Sequence, residues 1–117
     1  MEADSIFKSI QNEQLSEVAF VQDYIQLHFD GPILTCFNWP KIKNQNGEFA
    51  KVSLGYMDEL CNQIGKIVLK IDFSETQFLQ INFKDDSSIF LSLDKNAYNG
   101  PEILMFSNGP VQAVAVI

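Results

Sequence analysis

Between Ile64 and Leu93 apolar and polar residues alternate in three successive runs. Ile67, Leu69, Ile71 and Phe73 fall at every second position, then Leu79, Ile81 and Phe83, then Ile89, Leu91 and Leu93. Successive side chains of a strand point to opposite faces, so this spacing predicts three strands sharing one apolar face. The breaks at Ser74-Glu75-Thr76 and Lys84-Asp85-Asp86-Ser87 are short and polar, which predicts an antiparallel meander. Its other face carries Lys70, Asp72, Gln80, Asn82, Ser88 and Ser92, with Val68, Phe78 and Phe90 among them. One buried and one partly covered face is the expectation.

The same pattern occurs earlier. Tyr24-Ile25-Gln26-Leu27-His28-Phe29 matches Phe78-Leu79-Gln80-Ile81-Asn82-Phe83, and Gln14 to Val18 lines up with Gln63 to Ile67. Ile33, Thr35 and Phe37 then take the places of Ile89, Leu91 and Leu93, across a turn at Asp30-Gly31. A short helical pattern precedes each copy, Asp4 to Gln11 with Ile6, Phe7 and Ile10 inward, and Tyr56 to Gln63. In the second, Met57, Leu60, Cys61 and Ile64 are expected on the core face, with Gly65 as the stop.

The expected class is therefore α+β, with antiparallel sheets or half-barrels built from two helix-plus-three-strand pseudo-repeats, about 4–37 and 56–93. Units that cannot bury their own apolar faces pack on one another. Residues 41–53 form a linker or β-arm around Asn46-Gly47, a favoured hairpin turn. The extension 94–117 holds a helical turn at Asp94 to Tyr98, a strand at Ile103 to Phe106 and a last apolar strand from Val111 to Ile117. With no charged side chain in that tail, it must be buried or paired.

The 117 residues suffice for one core and not for two, so the whole chain is read as a single domain. No apolar run approaches the roughly 20 residues of a membrane helix. The acidic start Met1-Glu2-Ala3-Asp4 lacks the parts of a signal peptide, which makes the cytoplasm the expected compartment. Cys36 and Cys61, far apart in the chain, are then expected to be buried thiols.

Charge narrows the function classes. Fifteen acidic residues oppose eight basic ones, all Lys, for a net charge of −7. Nucleic-acid binding calls for a basic stripe and usually Arg, so it is not expected, and a basic protein partner is favoured. Catalysis is not expected either. The single histidine, His28, lies on a polar strand face with no nucleophile motif around it. No phosphate loop or zinc spacing occurs, so no cofactor or metal is expected. The surfaces around Tyr24, Gln26 and His28 and around Phe78, Gln80 and Asn82 are candidate interaction faces.

The runs Tyr24 to Asp30, Gly55-Tyr56-Met57-Asp58-Glu59-Leu60-Cys61 and Tyr98-Asn99-Gly100-Pro101-Glu102 resemble a family of small bacterial proteins. That family includes immunity proteins of contact-dependent growth inhibition and related polymorphic toxin systems. The resemblance implies a protein that binds and neutralises a cognate toxin domain, with a basic nuclease (RNase or tRNase) the expected class. It transfers no binding residue, because such interfaces diverge with their toxins. The alternative is a non-catalytic cytosolic structural or regulatory module, a homodimer through its tail.

An antiparallel meander brings Asp72, Glu75 and Asp94 to one end of the second sheet, the better electrostatic target for a basic partner. At the opposite end Lys66 and Lys84 offset Asp85 and Asp86. Asp30, Asp85 and Asp86 are the next candidates.

Overall fold

Ten strands form two five-stranded antiparallel sheets in the computed structural model, which describes residues 7–74, 76–94, 104–108 and 113–116. The first sheet runs β1 (Glu17–Val21), β2 (Tyr24–His28), β3 (Pro32–Cys36), β9 (Leu104–Asn108), β10 (Ala113–Val116). The second runs β5 (Gly47–Phe49), β4 (Lys41–Asn44), β8 (Ser88–Ser92), β7 (Phe78–Phe83), β6 (Val68–Ser74). A six-residue helix, α1 (Tyr56–Cys61), precedes β6. The fold is thus mostly antiparallel sheet with one short helix among the described residues.

Each sheet is a meander extended by a hairpin from elsewhere in the chain. The β4–β5 hairpin follows the first meander yet pairs with β8 of the second. The β9–β10 hairpin follows the second meander yet pairs with β3 of the first. The apolar tail is accordingly paired along β9. The segment read as a linker is part of the second sheet, with Ile42 fully buried.

Inner-face side chains of both sheets form one core cluster, including Leu27, Leu34, Cys36 and Phe106 from the first and Ile81, Ile89 and Leu91 from the second. Phe7 joins them, meeting Phe73 of β6 at 4.9 Å and Phe106 of β9 at 5.6 Å between ring centroids. Edge-to-face packing of this kind adds to plain area burial.

The first lead-in is described only from Phe7, which is α-helical and continues into a 3₁₀ turn at Lys8–Ile10, with Asp4 to Ile6 outside the described residues. The described residues do not show two helix-plus-strand repeats. Three local expectations are corrected. In β3 the core residues are Leu34 and Cys36, opposite Leu27 and Ile25, whereas Ile33 and Thr35 lie opposite His28 and Gln26 on the other face. Asp30 and Gly31 alone make the first turn, with Phe29 N–H donating to Pro32 O, while Lys84-Asp85-Asp86 make the second. One residue fewer in the turn shifts the register and exchanges the faces.

In β6 the pairing steps from Val68↔Phe83 to Lys70↔Asn82, leaving Leu69 as the extra residue of a bulge. Val68 is therefore buried while Ile67 and Leu69 are exposed, and regular alternation resumes at Ile71. In α1 the buried stripe is Tyr56, Leu60 and then Gln63, and Met57, Cys61 and Ile64 face solvent. Cys61 is thus an exposed thiol; Cys36 is buried as expected. The helical turn expected at Asp94 to Tyr98 lies beyond the described residues after Asp94.

Candidate interaction surface

The orientation of α1 follows from tethers on one of its flanks. Gly55, at φ +81°, takes the N-cap position, where a left-handed conformation costs glycine least. Tyr56 then turns inward, donating its hydroxyl proton to Pro40 O at 2.5 Å. Burial first, and the neighbouring Cys36 thiol second, push the Tyr56 phenol above its ordinary range. Cys36 itself is pushed up to about 12 by burial, so neither group is an ionised nucleophile near neutral pH.

At the other end of α1 a polar network ties the helix to the β7–β8 turn. Gln63 Nε2 donates to Glu59 O, and Gln63 Oε1 accepts from Lys66 Nζ at 3.1 Å. Lys66 Nζ also donates to Ser87 Oγ at 3.1 Å and pairs with Asp85 at 2.8 Å. The Ser87 hydroxyl donates to Asp85 Oδ1 at 2.5 Å. Asn44 Nδ2 on β4 donates to Glu59 Oε1 at 2.7 Å. These groups line a polar cleft of about 270 Å³ between α1, the β4–β5 turn and the β7–β8 turn.

Desolvation raises the Asp85 carboxyl, but hydrogen bonds from Lys66 and Ser87 and the Lys66 charge outweigh it and hold Asp85 at about 2. The charged Lys66–Asp85 pair thus joins the end of α1 to the β7–β8 turn.

With α1 tethered on that side, its other side and the segment before it are left to solvent. Val52 and Leu54 are 94% and 98% exposed, Met57 52%, and Ile64 is also exposed. The charged helix residues Asp58 and Glu59 are both acidic. Next to this run stands Trp39, at the crossover from β3 to β4. Its ring stacks on Tyr56 at 5.8 Å and meets Phe20 of β1 at 6.4 Å. Lys51 Nζ lies over the Trp39 ring, 4.5 Å from its centroid. Phe20 and Val21, at the end of edge strand β1, are themselves more than a third exposed.

The carboxylates singled out in the sequence are dispersed. Asp72 is on the outer face of β6, 3.8 Å from Lys70 and accepting from Asn82 Nδ2 at 2.9 Å. Asp94 follows the end of β8, at the same end of the sheet as Ser74 and Phe78. Glu75 lies outside the described residues. Asp85 is committed to Lys66, and Asp86 is a turn residue at φ +72°. Asp30, at φ +55°, is in the β2–β3 turn of the other sheet. The register puts Asp72 opposite Gln80, two residues before the strand end beyond which Asp94 follows β8, while Asp85 and Asp86 stand at the opposite end of the sheet and Asp30 apart from both.

The two aromatic-Gln-polar faces are both on outer sheet surfaces. Tyr24 meets Phe37 at 5.6 Å in one, and Phe78 stacks on Phe90 at 5.6 Å in the other. His28 is half-buried, with no hydrogen-bond partner for Nε2 among the described residues. No group of three or more His, Cys, Asp or Glu side chains able to hold a metal occurs among the described residues. No helix among them is long and apolar enough to cross a membrane.

Sequence reasoning missed the Trp39 surface because the stripe at Met57, Cys61 and Ile64 has core-like spacing. The usable signal was the neighbouring stripe Tyr56, Leu60 and Gln63, which has the same spacing. Comparison of the chain with protein-family models, with curated proteins and with solved structures gives no match.

Proposed function

We propose that this chain is a non-catalytic, immunity-type binding protein that captures a basic toxin domain in the cytoplasm and blocks it, a nuclease being the expected class. The observation that carries the reading is the run of exposed apolar side chains from Val52 to Ile64 with the exposed Asp58 among them, in a chain of net charge −7. Exposed apolar side chains become anchors when a partner desolvates them. Carboxylates around them steer a basic partner and speed its arrival. Asp72 on β6 and Asp94 after β8 add to that steering.

Co-expression with a candidate basic nuclease toxin domain tests the reading. Co-purification at low and moderate salt, together with rescue of growth, is the expected result. A toxin that neither co-purifies nor is neutralised would reject it. A stable homodimer without toxin binding would favour the structural or regulatory module.

The architecture carries a companion proposal, that the chain is two pseudo-repeats. Its support is that β1–β2–β3 and β6–β7–β8 are both meanders extended by an antiparallel hairpin on the third strand. Superposing the two five-stranded sheets tests it.

A further inference from the structure

The cation over Trp39 is an internal one. Lys51 is an exposed residue of the segment that leads into α1, and its ammonium rests 4.5 Å from the indole centroid. The negative face of an indole attracts cations more strongly than Tyr or Phe does. A lysine held this way gives up rotamer freedom, so another cation can replace it at little cost. Phe20 meets the ring, the nearly fully exposed Val52 and Leu54 lie in the segment between Lys51 and Tyr56, both of which touch it, and the exposed Asp58 follows on α1. The complement of such a surface is a cationic side chain standing among apolar ones on a basic protein. A second copy fits poorly, because it would bring together two chains of net charge −7 each.

We infer that Lys51 is a stand-in ligand, and that the partner presents an arginine or lysine to Trp39, displaces the Lys51 ammonium and seats apolar side chains on Val52 and Leu54. The inference rests on the reading of the chain as an acidic binder of a basic protein, and it names the point of contact. Arginine suits the site better, because its planar guanidinium stacks on an indole and is less strongly hydrated than an ammonium.

Trp39 is the single tryptophan of the chain, so its emission reports on the site without a label. The probe is an 18-residue peptide of leucine and arginine at amphipathic helical spacing, titrated at low salt. Binding should change Trp39 emission. Leu54→Asp, at a nearly fully exposed position, should weaken binding about tenfold or more with unchanged thermal unfolding. Lys51→Ala should tighten binding by about two- to fivefold beyond any effect of Lys43→Ala, which removes the same charge from β4. Equal effects of the two lysine substitutions would overturn the stand-in role, and unchanged Trp39 emission on binding would overturn the site. A dimer in sedimentation that Leu54→Asp dissolves would assign the face to a second copy and also overturn the inference. Failure to capture the toxin while the peptide behaves as expected would reject the immunity reading and leave the surface standing. Toxin capture untouched by Leu54→Asp would do the reverse.

Discussion

In the first sheet Leu27 faces Leu34 across a two-residue turn, and in the second Ile81 faces Ile89 across a turn of three. Both pairs are buried in the same core. The sheets therefore reach equivalent inner faces by different turn chemistry. In the first, Asp30 and Gly31 both adopt positive φ, as a tight two-residue hairpin requires. In the second, Asp86 takes the left-handed position and Asp85 accepts from the Ser87 N–H. The outer edges of the meanders differ more. Edge strand β1 ends beside Trp39 and packs against α1, while edge strand β6 carries a bulge that turns Leu69 outward. The core tolerates little variation because both sheets share it. The edges are where the two halves diverge, and the candidate binding surface lies at one of them.

The largest expected effect tests the shared core. Leu27→Ala and Ile81→Ala should each cost about 2–5 kcal/mol, since both side chains are fully buried and their loss leaves a cavity. Urea titrations should show similar losses for the two, as single cooperative transitions. A loss below about 1 kcal/mol for either one would mean that its sheet is not integral to the core.

The second effect belongs to the three-residue turn alone. Asp85 sits at about 2 in the folded chain against an ordinary 3.8. As the pH falls the unfolded chain therefore takes up this proton first. The contribution is complete above about pH 4 and disappears as the pH falls toward 2. Asp85 is half exposed, so solvent screening keeps the effect below about 1 kcal/mol. Asp85→Asn should make the acid limb of a stability-against-pH curve shallower by that amount. Superposable limbs would show that the Lys66 tie contributes nothing.

The smallest effect separates periodicity from register. Alternation places Leu69 in the core, where truncation would cost several kcal/mol, whereas the bulge places it in solvent. Leu69→Thr should change stability by no more than about 0.5 kcal/mol, against about 2–5 kcal/mol for Ile71→Ala two positions on. A large loss at Leu69 in thermal or urea unfolding would remove the bulge from the account.

Alternation was enough to find β7 and β8 with their faces, because Leu79, Ile81, Phe83, Ile89 and Leu91 follow it without interruption. Asn46-Gly47 was enough to locate a hairpin between β4 and β5, although the pairing of Asn44 with Gly47 makes Gln45-Asn46 the two turn residues and sets Gly47 at the start of β5. The need to pair an uncharged tail was also legible, from the cost of an exposed apolar edge. Three things were settled by the tertiary structure. The partner of each hairpin was one, because pairing β4 with β8 and β9 with β3 joins residues far apart in the chain and leaves no local trace. The orientation of α1 was another. The stripes Tyr56-Leu60-Gln63 and Met57-Cys61-Ile64 share one spacing, and the ties from Tyr56 to Pro40 and from Gln63 to Lys66 determine which is buried. The Trp39 surface was the third: it assembles Phe20, Trp39, Lys51 and Tyr56 from four segments, and hydrophobic periodicity describes one segment at a time.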